Sequence, residues 1–387
     1  MTTKTMVLTG ALGLALVNAA SAVNYVYITG STAARNSTVQ ALFTVGEVFD
    51  SITSSNYQGN STYYKASYQM VTGHLLNDGV GVVTTVKTHW SGSEAGIQDL
   101  VSQQSESFLQ DGASSSSSTP GPFTTSPVDL CMADNDKAYS KNPGASITGT
   151  NVGIVTFKWL KERGSLAGIT NLTDANIRVL LTGGTKAALI TGNSGDTTWV
   201  YVSGRDSFSG TRVNALGTTG YGIFSNPYQV KVAPDGSMID PDGSQTYVYY
   251  DTASLYGYGS GGDLASQMTN DLSQATSVDK VIGSGHFSIV AYLGYSDAAT
   301  ALGYGAGVVE LAYNGIMEST PAIQQGLYTF FGNEYLYKKN SGLSSQGGLV
   351  YSNLGPAIAN HADGTSFLTL ASMQAIRNGP TSDPVHK

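Results

Sequence analysis

Thr198-Trp199-Val200-Tyr201-Val202-Ser203-Gly204-Arg205-Asp206-Ser207-Phe208-Ser209-Gly210-Thr211-Arg212 is the stretch on which the fold turns. Residues 198–202 are β-branched and aromatic, the composition of a strand. Residues 204–210 form a loop, and a helix is expected over 211–216. A strand that runs through a Ser/Gly turn into a helix leaves free backbone N–H groups and a hydroxyl at the helix start, where the dipole favours an anion. Arg205 stands four residues before Ser209, and its guanidinium fork suits a tetrahedral oxyanion.

The same event occurs twice upstream. A strand over 25–29 meets Gly30-Ser31-Thr32 and a helix over 33–43. A strand over 82–86 is followed by Gly92-Ser93 and a helix over 95–102. Plain capping accounts for any one such turn; three of one kind, with Arg205, weigh towards an anion site. A third strand over 128–133 ends on Asp134, and further strands are expected over 152–159 and 288–293. Leu172-Thr173-Asp174 offers a cap for a helix over 175–181 that Gly183-Gly184 ends. A short helix and an aromatic strand share 321–337. Residues 51–80 show no period and read as an insertion, 111–127 as a loop holding the Ser114–Ser118 run, and Pro234-Asp235-Gly236 and Pro241-Asp242-Gly243 as turns. Strands alternating with helices predict an α/β fold.

Composition narrows the function. The 387 residues carry 27 acidic against 19 basic side chains, a formal net charge of -8, with no basic block, so a nucleic-acid partner is not expected. The single cysteine, Cys131, excludes an intramolecular disulfide and a cysteine-based zinc site. Lys4, the apolar run over 6–17 and Ala20-Ser21-Ala22 form a secretory signal, with the mature chain expected from Val23. The run is too short to span a bilayer, which needs about 20 apolar residues.

Catalytic patterns fare poorly. Gly257-Tyr258-Gly259-Ser260-Gly261-Gly262 matches the dinucleotide fingerprint formally but follows no clear strand. Gly192-Asn193-Ser194-Gly195-Asp196 fails as a nucleophile elbow at its last position. His74, His89, His286, His361 and His386 show no ligand spacing. Asp134 and Asp136 could pair as carboxylates, although alternate residues of an extended segment share a face by periodicity alone. No enzyme, metal or cofactor is expected.

Taken in order, these segments resemble the periplasmic phosphate-binding proteins, the receptors of the phosphate ABC importer. Arg205-Asp206-Ser207-Phe208-Ser209-Gly210-Thr211 is similar to their Arg-x-x-x-Ser-Gly-Thr loop. Ile28-Thr29-Gly30-Ser31-Thr32-Ala33 is similar to their first strand and turn, Gly92-Ser93-Glu94-Ala95-Gly96 to their second turn, and 128–134 to the strand whose final Asp reaches the ligand. Gly261-Gly262-Asp263-Leu264 and 289–295 are similar to their later segments. Two departures stand out: Ala34-Arg35-Asn36 replaces a bulky residue and Pro, and Ser207 replaces a second acid.

The resemblance implies a two-lobed periplasmic-binding-protein-like fold, each lobe a mixed sheet flanked by helices, joined by two crossover hinges. Lobe I would take 23–151 and 306–387, and lobe II 152–305. It implies a monomer that binds inorganic phosphate between the lobes, in the periplasm or outside the cell, and delivers it to a membrane ABC permease. Ser31, Thr32 and Ala33 would donate from the first helix start and Ser93 from the second. Asp134 would accept the phosphate proton, and Arg205, Ser209, Gly210 and Thr211 would form the opposite wall. The competing reading is an exported surface or matrix protein that keeps the fold without transport, which the Gly, Ser and Tyr richness and the low charge also fit. An exported hydrolase using Asp134 as base lacks a nucleophile.

Overall fold

A computed structural model describes residues 24–114, 119–233, 247–250, 257–269, 276–277, 287–304 and 307–377. The expected signal segment, most of the Ser114–Ser118 run, the two Pro-Asp-Gly turns, His286 and His386 lie outside the described residues.

The chain opens with β1 (Asn24–Gly30), α1 (Arg35–Phe43), β2 (Phe49–Gln58), β3 (Tyr68–Leu75), β4 (Val83–His89) and α2 (Ser93–Ser102). A small ribbon of β5 (Ser105–Leu109) and β6 (Phe123–Pro127) precedes β7 (Leu130–Ala133). The long β8 (Ile147–Lys161) leads to β9 (Asn171–Leu172), α3 (Asp174–Gly183), β10 (Thr185–Lys186), α4 (Ala188–Thr191), β11 (Trp199–Ser203) and α5 (Gly210–Thr218). Then come β12 (Val230–Ala233), β13 (Tyr247–Tyr250), α6 (Gly261–Gln267), β14 (Thr276–Ser277), β15 (Phe287–Gly294) and α7 (Tyr295–Gly303). The chain closes with β16 (Val309–Tyr313), α8 (Thr320–Gln324), β17 (Phe331–Lys339), α9 (Ser345–Asn360) and β18 (Phe367–Leu368).

The main sheet runs β10-β11-β15-β8-β17-β7-β1-β4-β3-β2, with β16, β9 and β18 attached beside β8. Its parallel pairs β1 with β4 and β7, and β11 with β15, follow the strand–turn–helix units of the sequence, and β9 with β16 adds a short further one. The antiparallel pair of β8 and β17 joins the two halves.

Both faces are covered, as parallel strands require. On one face Val26 and Ile28 of β1 meet Val39 and Leu42 of α1 and Val350 and Leu354 of α9; on the other, Tyr27 lies with Ile97 and Leu100 of α2. That switch of face at alternate residues is strand periodicity expressed as packing. α2 lies close because residue 96 is glycine: a Cβ there would stand 2.7 Å from Gly30 Cα and 2.8 Å from Cys131 Sγ. In the other half, α3 packs on β11 and α5 on β15, while α6 and α7 enclose a second core with Leu160, Ala291 and Leu293. Trp159, which is fully buried, stacks on Phe330 and meets Tyr292 edge-on, bracing the junction of the halves. Burying aromatics of that size contributes about 1.5–3 kcal/mol each.

The cap expected over 172–174 falls on Thr173: its hydroxyl accepts from Asn176 N, and the Asn176 side chain accepts from Thr173 N. Two sequence expectations need correction. Residues 51–80 are largely an in-register hairpin, β2 with β3, extending the sheet beyond β4. As an outer strand, β2 exposes half of its side chains, so its residues are polar and no burial period shows. In the expected loop over 111–127, the last five residues are β6, a polar strand paired with β5.

Candidate functional site

Asp134 follows β7, where the two halves meet, and is 2% exposed. Its carboxylate Oδ1 accepts a 2.7 Å hydrogen bond from Ser93 Oγ at the first residue of α2. Its carbonyl accepts from Asn214 Nδ2 at 2.7 Å, and Asn214 also donates to the carbonyl of Gly210 in its own helix. Desolvation pushes the Asp134 carboxyl up to about 6, against the Ser93 hydrogen bond and the positive charge of Arg205.

Gly210, the first residue of α5, closes over this carboxylate. A Cβ at 210 would overlap Asp134 Oδ1 and lie 2.6 Å from Ser93 Oγ, so only glycine fits. Ser209 is the N-cap of α5, its side chain accepting from Arg212 N. The loop before it rests on α2: Glu94 N donates to Phe208 O at 3.1 Å, and Lys141 Nζ donates to Ser207 Oγ at 3.1 Å. Two helix starts from opposite halves thus converge on one buried acid.

Arg205 is 4% exposed and braced by the segment that matched a dinucleotide fingerprint. Its Nε donates to Tyr258 O at 3.1 Å and its Nη2 to Gly259 O at 3.0 Å. Its backbone N donates to Tyr292 Oη, and Gln229 Nε2 donates to its carbonyl, while Tyr292 Oη donates to Gln229 in turn. The glycine-rich stretch therefore serves as a cradle for one arginine, and Ser260 in it caps α6. The positive charge of Arg205 favours the ionised forms of Asp134, Asp206 and Asp297 against the burial that raises all three.

Ser31 lies beneath the same junction. Its N donates to Met132 O at 2.8 Å, its hydroxyl donates to Glu334 Oε2 at 3.2 Å, and its Oγ accepts from Ala33 N. Thr32, Ala33 and Thr211 instead line an adjoining cavity of about 180 Å³, with Arg35, Thr156, Tyr295 and Asp297 on its other walls. The structure thus gathers Ser31, Ser93, Asp134, Arg205, Ser209 and Gly210 at the packed junction. It sets Thr32, Ala33 and Thr211 along the cavity beside it.

Sequence reasoning missed Glu334, Arg35, Asp297 and Asn214. Glu334 is fully buried, and its Oε1 has no hydrogen-bond partner among the described residues. Burial, reinforced by the negative charge of Asp134, pushes its carboxyl well above the ordinary range. It sits at the bulge between Glu334 and Tyr335, where β17 shifts register on β8. A lone acid in an aromatic strand was the available signal. Asp136, the weighed partner of Asp134, caps a short turn by accepting from Ala138 N. His361 pairs with Glu47 at 2.8 Å, and His89 lies 3.2 Å from Glu106 while stacked on Tyr68. Among the described residues no helix is long and apolar enough to cross a membrane.

No protein-family model and no curated protein matches the sequence. Among solved structures, the chain is similar to a protein from Clostridium perfringens described as a phosphate ABC transporter substrate-binding protein with bound phosphate. The identity is 15%, the match covers 90% of this chain and 100% of that one, and the TM-score is 0.50. It is also similar to an ABC-type phosphate transport receptor from Vibrio cholerae, with 12% identity over 86% of this chain and 93% of that one and a TM-score of 0.47. PstS from Borrelia burgdorferi matches at 14% identity over 89% of this chain and 98% of that one, with a TM-score of 0.38. The chain has the mixed α/β fold of the Clostridium protein, that of a two-lobed substrate-binding protein.

Proposed function

We propose that this chain is an exported, monomeric substrate-binding protein that captures inorganic phosphate and presents it to a membrane ABC permease. The lobes would be 23–151 with 306–387, and 152–305. The observation that carries the reading is the clasp on Asp134, where Ser93 at the start of α2 and Gly210 at the start of α5 meet one buried carboxylate with Arg205 close by. Helix starts and an arginine attract a tetrahedral anion. The carboxylate then selects among such anions. Above about pH 6 it is ionised and can only accept a hydrogen bond, which a phosphate that still carries a proton can donate and sulfate cannot.

Calorimetric titration of the mature protein with phosphate and with sulfate tests this. Phosphate is expected to bind more than ~100-fold more tightly, about 3 kcal/mol of discrimination. Asp134→Asn should narrow the gap, because an amide can donate to sulfate. Equal affinity for both anions, or a ratio unmoved by Asp134→Asn, would overturn the reading.

One observation favours the competing reading, an exported surface protein that keeps the fold without transport. Several donors assigned to the ligand are already satisfied within the chain: Ser31 N by Met132, Ala33 N by Ser31, and two Arg205 nitrogens by Tyr258 and Gly259. On that reading neither anion gives binding heat.

A further inference from the structure

The cavity beside the clasp has a wall that the proposed phosphate seat does not use. Arg35 stands on it as the first residue of α1, half-buried. Among the described residues its guanidinium makes no hydrogen bond or ion pair. Burial pushes it below its ordinary pKa, and Asp297 is the acid whose charge acts against that. Its position compounds the cost. A cation at a helix N-terminus adds to the positive end of the dipole instead of offsetting it. α1 has no side-chain cap and no acid in its first turn. α7 also begins on this cavity, at Tyr295, without a side-chain cap but with Asp297 in its first turn. Lys65 lies at the exposed rim. A half-buried guanidinium that makes no hydrogen bond, at the uncapped start of α1, is unfavourable alone and favourable against an anion.

Size and position define that anion further. A cavity of about 180 Å³ holds far more than one small group, since a single water needs only about 10–15 Å³ on the same measure. Thr211 lines the cavity, while its chain neighbour Gly210 touches Asp134, so both regions share the start of α5. Consecutive Cα atoms lie about 3.8 Å apart, which makes the two regions near neighbours.

We propose that the ligand is a compact two-centre anion of the diphosphate class, with one phosphoryl group at the Asp134 clasp and the second anionic group held by Arg35 in the cavity. This rests on the phosphate reading for the first seat and adds a second.

The test titrates inorganic phosphate, glycerol phosphate and pyrophosphate into the wild-type chain, Arg35→Gln and Arg35→Lys. In the wild type, pyrophosphate is expected to bind at least ~10-fold more tightly than either of the others, about 1.4 kcal/mol. Glycerol phosphate separates a second charge from mere bulk. Arg35→Gln should bring the pyrophosphate-to-phosphate ratio close to one, and Arg35→Lys, which keeps the charge, should retain most of it. The proposal is overturned if pyrophosphate binds no more tightly than phosphate, if its advantage survives Arg35→Gln, or if Arg35→Gln weakens both anions by one factor. The last result would put Arg35 in the single phosphate seat. Failure of the phosphate reading looks different: a phosphate-to-sulfate ratio near one, or one insensitive to Asp134→Asn, while the Arg35-dependent advantage of pyrophosphate is scored separately.

Discussion

The Asp134 clasp and the Arg35 wall lie side by side at the start of α5 and are built on opposite terms. At the clasp nearly every polar group has a partner: Ser93 holds the carboxylate, Asn214 holds its carbonyl, and two backbone carbonyls hold Arg205. On the wall the Arg35 guanidinium lines the cavity and makes no hydrogen bond or ion pair among the described residues. The first arrangement fixes geometry, and the second stores an unmet electrostatic demand. Precise selection needs groups that are already positioned, whereas affinity comes most cheaply from groups that gain a partner only on binding. One site can hold both kinds only if different residues carry them.

The sharpest way to break the clasp is Gly210→Ala. The added methyl must displace the Asp134 carboxylate and with it the Ser93 hydrogen bond. We expect a loss of about 3 kcal/mol or more in urea unfolding, together with loss of anion binding. Unchanged stability would mean that the loop and α2 part freely. Next in size, Arg205→Ala should weaken phosphate binding by about 2–5 kcal/mol in calorimetry, through loss of a charge-assisted fork in a desolvated site. Arg212→Ala, at the third residue of α5, should cost far less. Equal losses would move the site along the helix.

A third expectation concerns pH. The Asp134 carboxyl is raised from 3.8 to about 6 in the folded chain, so its contribution to stability is complete below about pH 4 and lost as pH climbs through about 6. Removing the ionisation by Asp134→Asn should leave a variant whose stability relative to wild type rises by about 2–3 kcal/mol between about pH 4 and pH 7. Parallel urea curves at both ends would show the acid to be better solvated than its burial implies. The smallest effect belongs to the wall. Without ligand, Arg35→Gln should stabilise the chain by about 0.3–1 kcal/mol, because it removes a cation from a helix N-terminus. A lower melting temperature for that variant would mean Arg35 has a structural partner after all.

How much of this was legible beforehand follows from where the information sits. The strand–turn–helix units could be read because β1, β4 and β11 are short runs rich in β-branched and aromatic residues and the turns carry Ser, Thr and Gly. The cap of α3 is a local interaction spelled out within four residues. Other elements were hidden by their own chemistry. α9 carries Gly347, Gly348, Gly355 and an internal Pro356, which obscure a helical period that its packing on α1 sustains. β2 is polar because it lies outside the core strands, so no alternation marks it. At the site, Asp134, Ser93, Arg205 and Gly210 stand in recognisable turns. Glu334 reaches them from β17, and Asp297 from the start of α7. No spacing in the sequence announces such a meeting, because tertiary pairing creates it.

β17 has one more consequence, and it concerns the order of events in time. It pairs on one side with β7 and on the other with β8, both from the first half of the chain, so the middle of the sheet cannot close until its last long strand has been made. Pairing between such distant segments is slow, because loop closure must precede the contacts that reward it. A chain emerging from the ribosome would therefore hold β1, β4 and β7 without their central neighbour for most of synthesis. Until then the nascent sheet presents unpaired strand edges, the state in which a chain is most open to association with the wrong partner.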